Sequence, residues 1–341
     1  MRVFYYAVAG FAVLAAAFSG SAEAGARFDA VKARGTLNCG VHTGLAGFGA
    51  ANDRGVWEGL DVDVCRAVAA AVFGDANKVR YVPLTTQQRL TAVQSGEVDM
   101  LSRNTTYTAS RDSELGLNFA GVNYYDGQGF MVAKKLSVTS ARQLNGATIC
   151  VLPGTTTELN LADYFRANNM QFRPVVIERS EELSAAFFSG RCDVLTSDAS
   201  QLASIRAAQA LSPADYIILP EIISKEPLGP VVAHGDDQWT DVVRWSLMAM
   251  IEAEEKGVNS KSIDSLASTN DPTVKRLLGI TPGIGKGLGL DEKWAYNIIK
   301  QVGNYGESFE RNLGKGSKLQ LERGLNDLWT RGGLMYAIPI R

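Results

Sequence analysis

A helix–strand unit occurs twice in this chain, 94 residues apart, and this repeat limits the fold more than any other feature. Ser95–Leu101 reads SGEVDML, and Ser189–Leu195 reads SGRCDVL. Each copy follows an apolar segment with helical spacing, over 89–94 and 183–188. Helices that alternate with short apolar strands are typical of α/β domains. The repeat therefore predicts two α/β lobes with mostly parallel sheets.

Polar residues follow the strand in both copies. The first strand leads into Arg103-Asn104-Thr105-Thr106, and the second ends in Thr196-Ser197-Asp198. Ligands of open α/β sheets bind beyond the carboxyl ends of the strands. One strand end supplies a cation and the other an anion, so we expect the lobes to face each other across a zwitterion.

Arg111 lies in the first turn of a predicted helix, for which Thr108 is a suitable N-cap. A cation in the first turn opposes the helix dipole, which suggests that Arg111 meets an anion. The alternative is a surface ion pair with Asp112 or Glu114. For Asp198, the alternative is an N-cap of the helix that follows it.

The order of elements predicts a division into lobes and flanking segments. We expect a signal peptide at 1–24, a first lobe at 25–130 that returns at 230–269, a second lobe at 131–229, and a C-terminal extension at 270–341. Phe130–Lys134 and Gly229–His234 are near copies and are predicted as the two crossovers between the lobes. Amphipathic segments at 294–302, 309–311 and 319–329 predict a helical extension packed on the lobes.

The N-terminus has the pattern of a secretory signal peptide. Arg2 is followed by the apolar run Val3–Phe18 and by the small-residue site Ala22-Glu23-Ala24. The alternative is a membrane anchor, although the apolar run is short for a membrane span. Export to an oxidising compartment favours disulfides between the four cysteines, which allow three connectivities.

Pairing Cys39 with Cys65 and Cys150 with Cys192 keeps each bridge within one lobe, so the lobes remain free to move. Four buried free thiols are the alternative. The net charge of −2 gives no electrostatic footprint for nucleic acid.

Little in the sequence favours catalysis. His42 and His234 are the only histidines, without the ligand spacing of a metal site, and no Gly-x-Ser-x-Gly motif occurs. Asp61 and Asp63 are explained by a helix start, where acidic residues favour the dipole. We therefore expect neither an enzyme nor a cofactor.

Four motifs in order resemble one family: GLDVD at 59–63, SRNTTYTASR at 102–111, GTTT at 154–157 and DVLTSD at 193–198. The chain is similar to the periplasmic solute-binding proteins of polar amino-acid ABC transporters, most of all to the general L-amino-acid-binding subgroup. The segments 310–317 and 323–339 also resemble the extension of that subgroup. The resemblance implies a two-lobed (type II-like) fold with two crossover strands. It implies a periplasmic receptor that closes on a free L-amino acid and delivers it to a membrane permease, with no chemistry. A monomer suits such closure.

The resemblance also implies roles for individual residues. Arg111 would bind the α-carboxylate, assisted by backbone N–H groups near Thr106 and Thr156. Asp198 would accept from the α-ammonium group, together with the Thr106 hydroxyl and the Asn104 carbonyl. Thr155 lies at the same helix N-terminus as Thr156, which suits an anion.

The side-chain pocket is less well defined by the resemblance. Leu45 stands where many relatives have an aromatic residue in the first loop. Tyr81, Phe48 and Arg103 are the candidates for this pocket, and Arg89 with Arg103 favours acidic ligands.

Two other functions fit the same scaffold. A periplasmic dehydratase acting on a prephenate- or arogenate-like acid would need a general acid in the cleft, and the sequence offers no convincing one. A sensor domain that never meets a transporter is the third hypothesis.

Overall fold

The computed structural model describes residues 25–341, so the predicted signal peptide at 1–24 lies outside the described residues. The strands are β1 (Leu37–His42), β2 (Ala50–Ala51), β3 (Trp57–Glu58), β4 (Val79–Leu84), β5 (Met100–Leu101), β6 (Leu117–Phe119), β7 (Tyr124–Asp126), β8 (Gln128–Ala133), β9 (Thr148–Val151), β10 (Arg173–Val176), β11 (Val194–Asp198), β12 (Tyr216–Ile218), β13 (Glu226–Leu228) and β14 (Val231–Ala233). The helices are α1 (Ala26–Arg34), α2 (Leu60–Phe73), α3 (Gln88–Ser95), α4 (Ala109–Ser113), α5 (Thr156–Ala167), α6 (Ser180–Phe188), α7 (Ala199–Gln209), α8 (Asp237–Glu255), α9 (Pro272–Leu277), α10 (Ile284–Leu288), α11 (Trp294–Gln301) and α12 (Tyr305–Asn312).

Two five-stranded sheets form the cores of two lobes, which confirms the predicted α/β fold. The first sheet has the order β4-β1-β5-β14-β6, and the second has the order β10-β9-β11-β8-β12. In each sheet three strands are parallel, and the strand beyond them, β14 or β8, is antiparallel to its neighbours. Both sheets are therefore mixed, because β8 and β14 enter them directly from the other lobe without a crossover helix.

The chain passes between the sheets at two places, and these differ from the predicted crossovers. β7 precedes β8 of the second sheet, β13 precedes β14 of the first, and the pair forms an antiparallel ribbon in which Tyr125 lies opposite Pro227. Phe130–Lys134 and Gly229–His234 were the expected crossovers, but their strands lie inside the sheets, so that expectation is wrong. The sequence pattern does not show where the chain changes lobe, because an apolar strand within a sheet and a strand that links two sheets have the same pattern.

Both predicted disulfides are present and each lies within one lobe. Cys39 of β1 is bonded to Cys65 of α2, with Cα atoms 6.2 Å apart. Cys150 of β9 is bonded to Cys192, which lies just before β11, with Cα atoms 5.7 Å apart. Neither bridge crosses the β7–β13 ribbon.

The C-terminal extension packs on the first lobe. Its core residues Trp294, Ile298 and Phe309 belong to the same apolar cluster as α2 and α8. Helices α11 and α12 confirm two of the predicted segments. The predicted helix at 319–329 is wrong, because left-handed backbone at Gln320 and Gly324 interrupts it and leaves only short 3₁₀ turns.

The extension also holds strand β7 of the ribbon. The buried Asn326 side chain accepts a hydrogen bond from the Tyr125 backbone N–H (2.6 Å) and donates one to the Tyr125 carbonyl (3.0 Å). The Tyr305 hydroxyl donates to the Asn123 carbonyl at 2.8 Å. Asn326 thus pairs the backbone N–H and carbonyl of Tyr125 on the edge of β7 that does not face β13.

Within residues 25–341, no helix combines the length and the apolar character needed to cross a membrane.

Candidate functional site

The polar strand ends of the two lobes meet in one cleft. Both lobes line it, with residues from the ends of β1, β5 and β11 and from the start of α5. The lining residues are His42, Thr86, Arg89, Arg103, Asn104, Thr106, Leu152, Thr155, Thr156, Thr157, Ser197, Asp198 and Gln201. The predicted juxtaposition of the two strand ends is therefore present.

The lobes touch across this cleft through direct hydrogen bonds. Asn104 Nδ2 donates to Gln201 Oε1 at 3.1 Å, and the hydroxyls of Thr106 and Thr156 are 3.2 Å apart. Ser204 donates to the Ala46 carbonyl at 2.8 Å. These bonds join loops of the first lobe to α5 and α7 of the second, so the structure has the lobes closed.

Asp61 fixes the loop that leaves β5. Its carboxylate accepts hydrogen bonds from the Asn104 backbone N–H (2.8 Å) and from Asn123 Nδ2 (2.9 Å). Asn104 has left-handed backbone with φ of 28°, a conformation that asparagine tolerates better than most residues. Asp61 does lie in the first turn of α2, as expected, and it additionally shapes the cleft.

Arg111 points into the interior rather than to the surface. The Thr108 hydroxyl accepts from the Arg111 N–H at 3.3 Å, which confirms the predicted N-cap. The guanidinium is buried and donates to the Thr106 carbonyl at 2.9 Å. Burial lowers the pKa of Arg111, whereas the nearby charges of Glu226 and Asp198 raise it. Neither Asp112 nor Glu114 pairs with it among the ion pairs of the described residues, so the surface-pair alternative is wrong.

Asp198 is buried at the end of β11 and occupies the N-cap position of α7. Its side chain makes no capping hydrogen bond, so capping does not explain the residue. Burial raises the pKa of Asp198 well above its usual value, and the charges of Asp126 and Glu226 raise it further. Burial also raises the pKa of Asp126 to about 6. A group of carboxylates that repel one another is poised to receive a cation.

Glu226 was not predicted, although it makes more polar contacts than the other acids of the cleft. It lies in β13 and accepts hydrogen bonds from the hydroxyls of Thr106 (2.5 Å) and Thr156 (2.8 Å), one from each lobe. Asn160 and Ser224 also donate to it, at 2.7 and 2.6 Å. A single glutamate before a proline carries no recognisable motif, so only tertiary structure identifies it.

Three threonines at the start of α5 line the cleft, and two of them, Thr155 and Thr156, are the expected ones. Thr155 is the N-cap, and its hydroxyl accepts from the Glu158 N–H at 3.1 Å while donating to the Leu152 carbonyl at 2.8 Å. Thr156 directs its hydroxyl to Glu226. The N-terminus of this twelve-residue helix therefore faces the loop that carries Thr106.

Two further arginines occupy the first-lobe side of the cleft. Arg103 Nε donates to the Leu84 carbonyl at 2.8 Å, and burial lowers the Arg103 pKa to about 10. Arg89 Nη1 lies 3.4 Å from both the Asn104 carbonyl and the Thr105 hydroxyl. The Asn104 carbonyl, expected to receive an ammonium group, thus already accepts one hydrogen bond.

Tyr81 and Phe48 lie outside the cleft, contrary to expectation. The Tyr81 ring packs on Trp57 with centroids 5.7 Å apart and lines a separate groove on the first lobe. Phe48 is buried in the core, with its ring edge-to-face against Tyr124 at 5.2 Å. Tyr81 lies on the α2 face of its strand rather than at the strand end, and Leu45 and Phe48 fold inward. His42, at the end of β1, lies in the cleft instead.

No group of three His, Cys, Asp or Glu side chains within residues 25–341 is arranged to hold a metal ion. The buried Arg89, Arg103 and Asp198 line the cleft, and the buried Arg111 and Glu226 lie close to them. Such an arrangement binds a small molecule that carries both charges.

Comparison with known proteins gives one family. The family described as bacterial extracellular solute-binding proteins, family 3, matches residues 37–265. The chain is 56% identical over 337 residues to the general L-amino acid-binding periplasmic protein AapJ of Rhizobium johnstonii, covering 98% of each chain. It is 56% identical over 333 residues to the glutamate/glutamine/aspartate/asparagine-binding protein BztA of Rhodobacter capsulatus, covering 97% of this chain and 98% of that one.

A solved structure is similar over nearly the whole described chain. It is a periplasmic binding protein of an ABC transporter from Brucella ovis with glutathione bound. The TM-score is 0.90 at 57% sequence identity, and the match covers 92% of this chain and 98% of that one.

Proposed function

Because the chain belongs to family 3 of the bacterial extracellular solute-binding proteins, we propose that it binds free L-amino acids for an ABC transporter. It is a binding protein and not an enzyme, in agreement with its family and its relatives. It acts in the periplasm, as a monomer whose lobes close on the ligand and present it to the permease. Residues 1–24 direct export and are then removed.

The single observation that carries this function is the division of buried charge across the cleft. Arg89 and Asp198 line the cleft from the two lobes, and the buried Arg111 and Glu226 lie beside it, near enough for their charges to act on this pair and on each other. An α-amino acid has a carboxylate and an ammonium on one carbon atom. Each charge then meets the oppositely charged group without leaving either set unpaired.

Individual roles follow from this arrangement. Arg111 binds the α-carboxylate through its planar donors, with backbone N–H groups near Thr106 and Thr156. Asp198 receives the α-ammonium, and the Thr106 hydroxyl accepts from it. Thr155 holds the start of α5 in place, and Arg103 borders the side-chain end of the cleft.

Ligand binding stabilises the closed form because contacts to both lobes exist only when the lobes are closed. Bending takes place in the β7–β13 ribbon, where, within the described residues, the chain passes from one sheet to the other. The protein accepts amino acids with several different side chains. The arginines at the side-chain end of the cleft favour acidic and amide side chains.

Peptide-extended amino acids such as glutathione are a second class of ligand to be tested. A second cavity of about 410 Å³ adjoins the cleft and shares Thr86, Arg103 and Leu152 with it. Its other lining residues include Thr43, Arg179 and Glu181. The Brucella ovis relative has glutathione bound, which carries an amino-acid head on a longer chain. An amino acid whose side chain is extended by a peptide linkage could place the extension in this adjoining cavity.

The test is a thermal-shift screen of the purified mature chain against the twenty L-amino acids and reduced glutathione, followed by titration calorimetry of the positives. We expect stabilisation by several L-amino acids, with one bound molecule per chain. An absence of binding by every amino acid contradicts the proposal. Turnover of prephenate or arogenate would favour the dehydratase hypothesis, and N-terminal sequencing of exported protein checks cleavage after Ala24.

A further inference from the structure

His42 lies in the cleft with one ring nitrogen unused. It is the last residue of β1, it is 1% exposed, and it lines the same cleft as Arg89, Arg103 and Asp198. The Nε2 atom is buried and has no hydrogen-bond partner within the described residues. Buried polar side-chain atoms are nearly always paired, so an unpaired one that faces a binding cleft points to a missing ligand atom.

The other ring nitrogen fixes where the proton lies. The Gly44 backbone N–H donates a hydrogen bond of 3.0 Å to Nδ1, which must therefore be the unprotonated acceptor nitrogen. In the neutral ring the proton is then on Nε2. Burial keeps the pKa of His42 well below its usual value, and the charges of Arg103 and Arg89 lower it further, so the ring stays neutral at neutral pH.

Arg89 presents a second unused donor to the same region. Its Nε–H is buried without a partner, while its Nη1 is held near the Asn104 carbonyl and the Thr105 hydroxyl. Two unpaired donors on the first lobe, His42 Nε2–H and Arg89 Nε–H, require acceptor atoms. Arg111, which we assign to the α-carboxylate, is a different group with its own contact to Thr106.

We infer that His42 is a specificity-determining residue that donates Nε2–H to an acceptor oxygen on the side chain of the bound amino acid. Ligands with a carbonyl or carboxylate oxygen at the end of a short side chain satisfy this donor. Apolar side chains leave it unpaired, and lysine or arginine brings another donor to a site that already has too many. The inference rests on the proposed function, since it assigns the side-chain end of the same cleft.

The test compares ligands rather than activities. His42→Phe keeps a planar ring and removes the donor, and His42→Gln restores an N–H group at a similar distance from the backbone. His234→Phe, at the exposed second histidine, is the matched control. Affinities for L-glutamine, L-glutamate and L-alanine are measured by titration calorimetry.

We expect His42→Phe to weaken glutamine and glutamate binding at least tenfold and to change alanine binding less than threefold. His42→Gln should recover most of the loss, and the His234→Phe control should match the wild type. An equal loss for all three ligands overturns the inference, because it indicates a structural role. Unchanged glutamine and glutamate binding in His42→Phe overturns it as well.

A second measurement does not depend on the folding of a variant. In wild-type protein labelled with ¹⁵N-histidine, His42 should show the Nε2–H tautomer, and its Nε2 resonance should shift further with glutamine than with alanine, which causes lobe closure without the hydrogen bond. A protonated Nδ1 overturns the inference. If the wild-type protein binds no amino acid at all, the proposed function fails and this inference fails with it, whereas the outcomes above overturn the role of His42 alone.

Discussion

Replacement of Arg111 by alanine tests the central contact of the proposed site. The side chain is 7% exposed, and its guanidinium lies between the Thr106 carbonyl and the charges of Glu226 and Asp198. In the Arg111→Ala protein, an α-carboxylate enters a buried site that has lost the guanidinium proposed to bind it directly, although Arg89 and Arg103 remain. We expect a large loss of affinity for every amino acid, whatever its side chain.

The magnitude follows from the burial of Arg111. Removing one partner of a buried charge pair typically destabilises the complex by about 3–5 kcal/mol. Since about 1.4 kcal/mol is a factor of ten, the loss is roughly two to three and a half orders of magnitude. A receptor with micromolar affinity binds with about −8 kcal/mol. From a Kd of about 1 μM, the variant therefore falls to a Kd of roughly 0.1–3 mM.

The assay is titration calorimetry with L-glutamine and L-alanine, beside far-ultraviolet circular dichroism to check folding. Arg111→Lys retains the charge without the planar pair of donors, so its affinity should lie between those of the wild type and Arg111→Ala. Arg244→Ala is the matched control. Arg244 lies on α8 of the first lobe, and its side chain is 36% exposed. Within residues 25–341 its only ion pair is with Asp241, so its loss should change affinity less than twofold. A folded Arg111→Ala protein within tenfold of the wild type would refute the reasoning.

Three further predictions concern stability and the extension. Replacing either disulfide by two serines should lower the free energy of unfolding, measured in urea. The expected loss is about 3.5 kcal/mol for Cys39–Cys65, with a sequence separation of 26, and about 4 kcal/mol for Cys150–Cys192, with a separation of 42. Equal stability of the wild type and both variants would contradict this. The raised pKa of Asp126, about 6, means that the folded chain holds a proton that the unfolded chain has lost between pH 4 and 6. Stability of the unliganded protein should therefore rise as the pH falls from 7 to 4.5, by an amount on the order of 2–3 kcal/mol that Asp126→Asn removes; a pH dependence that Asp126→Asn leaves unchanged counts against this account. Asn326→Ala should speed hydrogen exchange of the Tyr125 amide at least tenfold, as judged by mass spectrometry or NMR, whereas the exposed Lys318→Ala should not; an unchanged Tyr125 rate would show that Asn326 does not protect this strand.

The parts of the fold that the sequence predicts well are those with local causes. The alternation of apolar strands and helices gives both lobes, because each element carries its own periodicity. Thr108 as an N-cap also follows from local sequence, as does the start of α8 beyond Asp236, whose side chain accepts from the Trp239 N–H at 2.8 Å. The disulfide pairing follows once the cysteines are assigned to lobes.

The errors arise where the sequence pattern does not reveal spatial neighbours. The crossover was placed in Phe130–Lys134, although the chain has already changed lobes at Tyr124–Asp126. Both segments are short and have the extended character of strands, so only the pairing of strands distinguishes them. Tyr81 and Phe48 have the aromatic character expected of a binding pocket, but Tyr81 packs on the ring of Trp57 and Phe48 on that of Tyr124.

The residues that sequence reasoning missed share one property, which is that their neighbours in sequence do not indicate the groups they meet in the fold. Glu226 precedes a proline in the ribbon, and His42 ends a strand that is buried along most of its length. Neither belongs to a motif, and a buried polar residue is informative only when its partners are known. Glu226 obtains its four donors from three separate parts of the chain.

The same buried charges explain why the site should demand a whole amino acid rather than half of one. Asp198 and Glu226 repel each other, and burial raises the pKa of Asp198, so an ammonium group relieves a conflict that exists before the ligand arrives. Arg111 and Arg89 repel each other in the same way, and a carboxylate relieves that second conflict. A simple amine or a simple carboxylic acid relieves the repulsion within one set of charges and leaves the repulsion within the other, which opposes closure. Recognition of the zwitterion therefore comes from the penalty for partial ligands as much as from the bonds to complete ones.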